Sequence, residues 1–558
     1  MPKTDIEEVF AGIWIELLGL ETVNPQDNFF EIGGDSIISL QMVTRARTAG
    51  WEISPKDIFE GQTLSRIATR AKLMETQTEI VEPLTGLIPL SPIQNWFFAQ
   101  NFLHPHHWNQ SVALTCKQPL NTDALAVALD TLVSHHDIFR IGFAENDGEW
   151  QQFYVGGAKS PNVKIIDFSH YLPTTQLTFL NAALETEHSS FQLDRPPLIR
   201  ILYGRNLNNY GDVLFIFAHH LIIDAVSWRI LLEDLNQAYQ KTIDQLDQLQ
   251  QPYSPVSLPV KTASYRSWTT QLQSLAHSSQ MTQDIIYWKD ILSTVITPLP
   301  VDKLGNNSVD STAIISTHLS VEQTLTLVKE ATATYHASVQ EIMLAALLNA
   351  LVIIYKSDPW LIDLEGHGRE DIDHNLDLSR TVGWFTCLYP ILLKQPANPN
   401  NHEVFLKEIK TQLRAVPHHG ISFGLLRYLN PNQPLKEGKT ADISFNYLGS
   451  LDNPLADNHN FTVSHAPMGS GVFPLQQRTH ILAINAKIQD KILQVEWSYS
   501  RNIHYDKTIK NIAKTYLQCL SLYITNSDSA NSLFYSASDF RLVDLSESEL
   551  GELLDDLE

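Results

Sequence analysis

DNFFEIGGDSIISL, residues 27–40, sets the reading of the first part of the chain. Gly33-Gly34-Asp35 interrupts regular structure, and Ser36 then opens an apolar-periodic run through Ile37, Leu40 and Val43, which predicts a helix. A hydroxyl is thereby placed at a helix N-terminus, where free N–H groups and the helix dipole favour an attached phosphate. A GDS tripeptide taken alone has a plainer reading, with Asp35 or Ser36 serving only as an N-cap.

Working outward, Thr4 with Glu7 forms a capping-box pattern, and Val9, Phe10, Ile13, Trp14 and Leu17 give an apolar helical face ending near Gly19. Helix signals return at 36–47 and after Thr63, so residues 1–75 predict a small all-α bundle. The Thr/Gln/Glu-rich stretch at 76–84 reads as a linker. With Asp27-Asn28-Phe29-Phe30 on one flank and Leu40 on the other, residues 1–75 resemble a peptidyl carrier domain of nonribosomal peptide synthetases. The resemblance implies a four-helix carrier bundle in which Ser36 carries phosphopantetheine, installed by a separate phosphopantetheinyl transferase, and an arm that holds the substrate as a thioester.

At 558 residues the chain is long enough for roughly three or four compact units. Its 62 acidic against 39 basic residues, a net charge of −23, disfavour nucleic acid or an anionic membrane surface as a partner. Cys116, Cys387 and Cys519 lie far apart without metal-ligand spacing, which fits a reducing, cytoplasmic setting. No signal-peptide pattern opens the sequence, and the longest apolar stretch, Ile342 to Tyr355, is too short for a bilayer and contains Asn349. The expectation is a soluble protein with no membrane and no metal.

From Pro89 onward strand-like and helix-like runs alternate. Val213 to Ala218 predicts a buried strand, Ala225 to Tyr239 and Val321 to Tyr335 predict helices, and the Gln- and Pro-rich segment 244–258 predicts a surface loop. A break near 270 divides this region into expected lobes at 85–270 and 271–525.

HHLIIDAVSW at 219–228 carries the chemistry. Adjacent histidines closing a strand point to opposite faces, so one can enter a cavity while the other packs. A metal site would need a third ligand, and none has suitable spacing. The stretch resembles the HHxxxD motif of the condensation superfamily, whose members are built from two chloramphenicol-acetyltransferase-like α/β lobes around a tunnel. By that resemblance His220 is catalytic and His219 and Asp224 shape the site. Arg140, in SHHDIFRIGF, sits where the family has an arginine that pairs with this aspartate; its plainer reading is a surface charge.

Further segments resemble epimerization domains in particular: SPIQNWFF (91–98), EGHGRE (365–370), RTVGWFTCLYP (380–390), PHHGISFGLLRYL (417–429) and FNYLG (445–449). A condensation domain would typically carry a VGxFVNT-like segment where this chain has Gly383-Trp384-Phe385-Thr386, and GGHS is commoner than GGDS in carriers that precede one. Phe423-Gly424 and Ala225 are small departures from the family pattern.

Inverting a Cα needs one acid/base group on each side of the carbon, and a thioester carbonyl accepts the carbanion's charge as an enolate. His220 and Glu365, expected from opposite lobes, supply the pair. Imidazole titrates at roughly 6.5, near working pH, whereas Glu365 needs its pKa raised by desolvation. Glu365 could instead be a structural residue in a Gly-rich loop, salt-bridged to Arg369. Asn446 and Tyr447 are candidates to hold the enolate oxygen or to order Glu365; Tyr447 also reads as a buried strand aromatic. Trp228 and Trp384 are expected to pack.

Two other functions stay open at this point: condensation, with His220 activating an amine for acyl transfer, and a non-catalytic carrier-docking module. No adenylation motif is present, so loading calls for an upstream adenylation domain. The stretch 536–558 is acidic with Leu550, Leu553, Leu554 and Leu557 at helical spacing. It resembles donor segments that dock on a downstream condensation domain.

Overall fold

The structure is a computed structural model that describes residues 5–74, 85–157, 160–249, 256–370, 376–399, 401–451, 460–527 and 534–539. Four helices form the N-terminal unit: α1 (Asp5–Leu18), α2 (Ser36–Thr48), α3 (Pro55–Gly61) and α4 (Leu64–Arg70). Phe10, Ile13 and Trp14 are buried on α1, as its 3.6-residue pattern requires. The Trp14 indole donates to Met42 Sδ on α2 at 2.9 Å, and its ring lies 5.1 Å from that of Phe29. Fully burying side chains of this size stabilises by about 1.5–3 kcal/mol each, so Phe29 pins the loop leading to α2. Asp35 caps α2 by accepting from Ile38 N at 2.7 Å, and Ser36 is the first helical residue. Ser54 and Asp57 close a capping box on α3 with Pro55 in its first turn. The expected capping partner Thr4, the linker 76–84 and the tail from 540 onward lie outside the described residues.

The larger unit carries two main sheets. In the first, β1 (Asn109–Cys116), β2 (Val163–Asp167), β3 (Ile199–Leu207) and β4 (Gly211–His219) lie in the order β1-β4-β3-β2. β4 reads VLFIFAH from Val213 and is buried along that run, the continuous apolar stretch of a strand covered on both faces. In the second sheet β5 (Thr312–His318), β6 (Trp360–Gly366), β7 (Cys387–Leu393) and β8 (Ile443–Ser450) are joined by two later strands. After the short strand β9 (Phe461–Val463), these are β10 (Leu482–Gln489) and β11 (Ile492–Ser500), giving the order β5-β11-β10-β8-β6-β7. β6 and β8 are parallel, as are β8 and β10. Helix α5 (Ala225–Leu249) follows the double histidine, and α6 (Val339–Tyr355) lies against α7 (Asp506–Asn526) in the core of the second lobe.

β9 joins the edge of the first sheet. Although it belongs to the C-terminal half of the sequence, it pairs antiparallel with β1, Phe461 opposite Cys116. Lys117 N donates to Asn460 O (3.0 Å), Ser464 N to Ala113 O (2.8 Å) and Asn109 N to Gly471 O (2.6 Å). The expected lobe boundary at 270 falls inside an unbroken helix, Tyr265–Ala276, which Ser264 caps and whose Trp268 and Leu272 are buried. Residues 244–249 of the expected loop at 244–258 are instead the end of α5, as nothing before Pro252 breaks a helix, and residues 250–255 lie outside the described residues.

Among the described residues no single helix is long and apolar enough to cross a membrane; Val321–Tyr335 and α6 pass together on composition but are bent by 92°. All three cysteines are buried and unpaired. The two units touch through an Arg47–Asp377 ion pair, Thr44 Oγ1 donating to Ser379 O at 3.4 Å, and Glu31 beside His336 at 3.7 Å.

Candidate active site

His219 is the last residue of β4, and His220 starts a single 3-10 turn, His220–Ile222. The His219 ring is fully enclosed. Its Nδ1 accepts from Leu221 N at 3.2 Å, so Nε2–H donates to Pro105 O at 2.8 Å, and burial pulls its pKa down to about 3. It is a neutral strut. His220 donates its backbone N–H to Trp108 O at 2.9 Å and packs its ring 4.4 Å from that of Trp384. Burial lowers the His220 pKa, opposed by nearby backbone carbonyls and by the charge of Asp224.

Asp224 caps α5 through Ser227 N (2.7 Å) and accepts from Phe385 N (2.9 Å). Its cationic partner is Arg369, at 3.4 Å, and not the expected Arg140. Arg140 ends a 3-10 turn after the helix Thr122–His135 and donates to Ser134 O at 2.9 Å, so its charge serves a helix C-terminus. Arg369 is buried, donates to Leu378 O (2.7 Å), Thr381 O (2.8 Å) and Ser227 Oγ (2.9 Å), and stacks on Phe385 at 3.9 Å. Gly368 permits this approach: at φ +65°, a Cβ there would lie 1.7 Å from Phe385 O.

Glu365 stands on β6, not in a Gly-rich loop, and makes no salt bridge to Arg369; Gly366 closes the strand and Gly368 lies just beyond it. Parallel pairing aligns Leu364 with Phe445, which sets Asn446 beside Glu365, and Asn446 Nδ2 donates to Glu365 Oε2 at 2.8 Å. Burial raises the Glu365 pKa, His480 opposes the rise, and Asp363 adds to it. Tyr447, next on β8, has its phenol pushed up by burial and then by the charge of Asp35 at the start of α2. The same Asp35 charge acts on Arg229, whose guanidinium donates to Ser450 O at 2.5 Å.

The strand after Trp384 ties the two titratable groups together. His220 packs on Trp384, and Leu388, four residues on, lies opposite Glu365 in the β6–β7 register. A four-residue extended span reaches at most about 14 Å. One group comes from each lobe, with environments that move their pKa values toward each other.

Sequence reasoning missed Gln110 and the role of Trp228. The Trp228 indole N–H donates to Gln110 Oε1 at 2.7 Å, and Gln110 Nε2 lies 2.8 Å from His220 Nε2. The available signal was register: β1 pairs with β4 so that Gln110 lies opposite Ala218, one residue before the double histidine.

An open cleft lined by Trp268, Phe385, Phe423, Arg427 and Tyr428 among others does not include His220 or Glu365. His135, His136 and Asp234 could together hold a metal ion, but Asp234 is already ion-paired with Arg380 and bonded to His136 at 2.9 Å.

Residues 85–545 match the condensation domain family, and residues 8–71 match the phosphopantetheine attachment site family. The chain therefore belongs to the condensation-domain family, here joined to a carrier domain of the kind that bears covalent phosphopantetheine. It is 36% identical over 99% of its length to one of the linear gramicidin synthase proteins of Brevibacillus parabrevis, and 33% identical over its full length to surfactin synthase subunit 2 of Bacillus subtilis. It spans only 7% and 15% of the lengths of those synthetases. The crystal structure of the epimerization domain from the third module of tyrocidine synthetase B superposes over 82% of this chain and 100% of that one, with a TM-score of 0.74 and 31% identity. The X-domain from teicoplanin biosynthesis shares the fold over 82% of this chain and 98% of its own, with a TM-score of 0.62 at 18% identity.

Proposed function

We propose that this chain epimerises the Cα of an aminoacyl or peptidyl thioester tethered through phosphopantetheine to Ser36, giving an L/D mixture within a nonribosomal peptide synthetase. The observation that carries the reading is one titratable group from each lobe: His220, its pKa lowered, at the end of β4, and Glu365, its pKa raised, held by Asn446 on β6. Environments that bring the two pKa values toward each other let the pair hold a single proton on either member, which a reversible two-base transfer needs. Ser36 is the first residue of α2, capped by Asp35, and helix N-termini favour an attached phosphate. When bound, the arm supplies the thioester, whose carbonyl lowers the acidity barrier at Cα.

In one direction His220 removes the proton as a free base while Glu365 donates one to the opposite face. In the other, Glu365 is the base and His220 the acid. Each direction uses the pair carrying a single proton, so both share one pH window with two coupled limits. The two configurations differ little in free energy, so the product is a mixture.

Loading falls to an upstream adenylation domain, activation of Ser36 to a phosphopantetheinyl transferase, and D-selection to a downstream condensation domain. The buried free cysteines fit a reducing cytoplasm. The deciding experiment loads the full chain with an L-aminoacyl arm in D₂O and follows deuterium entering Cα. Rapid wash-in with approach to an L/D mixture is expected. Peptide-bond formation to an added acceptor without exchange would overturn epimerization in favour of condensation, the reading that the HHxxxD segment also allows.

A further inference from the structure

His220 has two ring nitrogens, and only one arrangement of protons fits its neighbours. Trp228 Nε1 is a donor only, and it points at Gln110 Oε1 from 2.7 Å. Reversing the Gln110 amide would face an N–H₂ group with that indole N–H, donor against donor, so the indole fixes the amide's orientation. Gln110 Nε2 is then the atom 2.8 Å from His220 Nε2. An amide nitrogen can only donate, and the imidazole nitrogen must therefore be the acceptor. The proton of the neutral ring is left on Nδ1, which is buried without a well-formed partner, though backbone groups of His220 and Ile223 lie close enough to favour its proton.

We propose that Gln110, locked by Trp228, is a positioning residue that selects the neutral, Nδ1-protonated form of His220 and keeps the Nε2 lone pair ready as the base. The proposal rests on the epimerization reading for its use and on geometry for its existence. Proton abstraction breaks the Cα–H bond, leaves its electron pair on the thioester as an enolate, and puts the proton on Nε2. Nε2–H then faces the Gln110 N–H₂ group, two donors in one contact, so the amide has to give way as the substrate seats. The other titratable neighbours recorded around the ring are Asp224, whose charge is held by Arg369, and His219, which is neutral. Asp224 favours the imidazolium; Gln110 favours the free base.

Two readouts on the full-length protein test this. Nitrogen-15 histidine labelling, with the His220 signals identified by their loss in His220→Gln, reports the tautomer directly. An unprotonated Nε2 in the native chain is expected; an Nε2–H tautomer overturns the proposal. In Gln110→Glu a carboxylate can accept from both Trp228 and an Nε2–H, so the His220 midpoint should rise by about 1–3 units, as for an added opposite charge. The Cα deuterium-exchange window, whose limits belong to the coupled pair, should extend to higher pH. An unmoved midpoint in the folded variant refutes the assignment. Should the glutamate variant fail to fold, Gln110→Met removes the donor without adding charge, and a smaller upward shift is expected; no shift again refutes it. A protein that shows the expected tautomer but exchanges no Cα proton would sink the epimerization reading and leave the Gln110 assignment standing.

Discussion

Glu365→Gln separates a proton-transferring carboxyl from a structural one, because the two roles predict opposite changes in stability. The substitution is nearly isosteric, and Asn446 Nδ2, now 2.8 Å from Oε2, can donate to the new amide oxygen instead. The hydrogen bond, worth about 0.5–1.5 kcal/mol, is thus retained. Burial raises the Glu365 pKa in the folded chain, so the folded state binds this proton more tightly than the unfolded state does. The corresponding stability is fully present below the unfolded value, about 4.3, and is lost as pH rises through the raised folded value. The glutamine variant, which never carries the buried charge, should match the native Tm near pH 4 and equal or exceed it near pH 8. Exchange should nevertheless fall by about 10²–10⁴, or roughly 2.7–5.4 kcal/mol of barrier. Thermal scans at both pH values and deuterium wash-in on the loaded chain supply the two measurements. Wild-type exchange would refute the two-base scheme. A Tm drop of several degrees at pH 8 would mark Glu365 as a stabilising, charged residue.

Treatment with coenzyme A and a phosphopantetheinyl transferase should add one arm, seen by intact mass and absent in Ser36→Ala; an arm on another serine would remove the carrier role. Asp224→Ala leaves the Arg369 guanidinium buried without its counter-charge and should cost about 3–5 kcal/mol in denaturant unfolding, much of it regained by adding Arg369→Met; a loss too small to measure would mean the pair is dispensable. Reversing Asp377 to Lys opposes Arg47 at the carrier contact. Exchange should slow by no more than about fivefold, since partly exposed pairs are worth about 0.2–1 kcal/mol, and the double charge swap should restore it. Deleting 541–558 should spare exchange on Ser36 but impair transfer to a separate downstream condensation enzyme; equal transfer at low protein concentration would rule out docking by the tail.

Local signals are legible in the sequence where the chain's own periodicity decides the outcome. The apolar run into His219 is a central strand, and the face of α1 buries Phe10, Ile13 and Trp14. Long-range pairings are less legible. Arg369 reaches Asp224 across 145 residues, and nothing in the composition near Arg140 excludes it from that role; only the folded path shows it already serving Ser134. Glu365 reads as a loop residue because Gly366 and Gly368 follow it, whereas those glycines mark the end of the strand WLIDLEG. Three-residue β9 carries too few positions for an alternation to register. Gln110 looks like an ordinary polar residue because its meaning depends on an indole 118 positions away.

The pairing of β9 with β1 bears on how the protein is made. Cys116 leaves the ribosome 345 residues (461 less 116) before its partner Phe461 does. At about 5–20 residues per second this is an interval of roughly 17–70 s. Throughout it the outer edge of β1 offers unpaired backbone groups, a template for pairing with a neighbouring nascent chain. On a polysome many such edges are present together, so completion of the first lobe is timed by translation of the second. A chain released before residue 461 would carry that open edge permanently and be prone to aggregate.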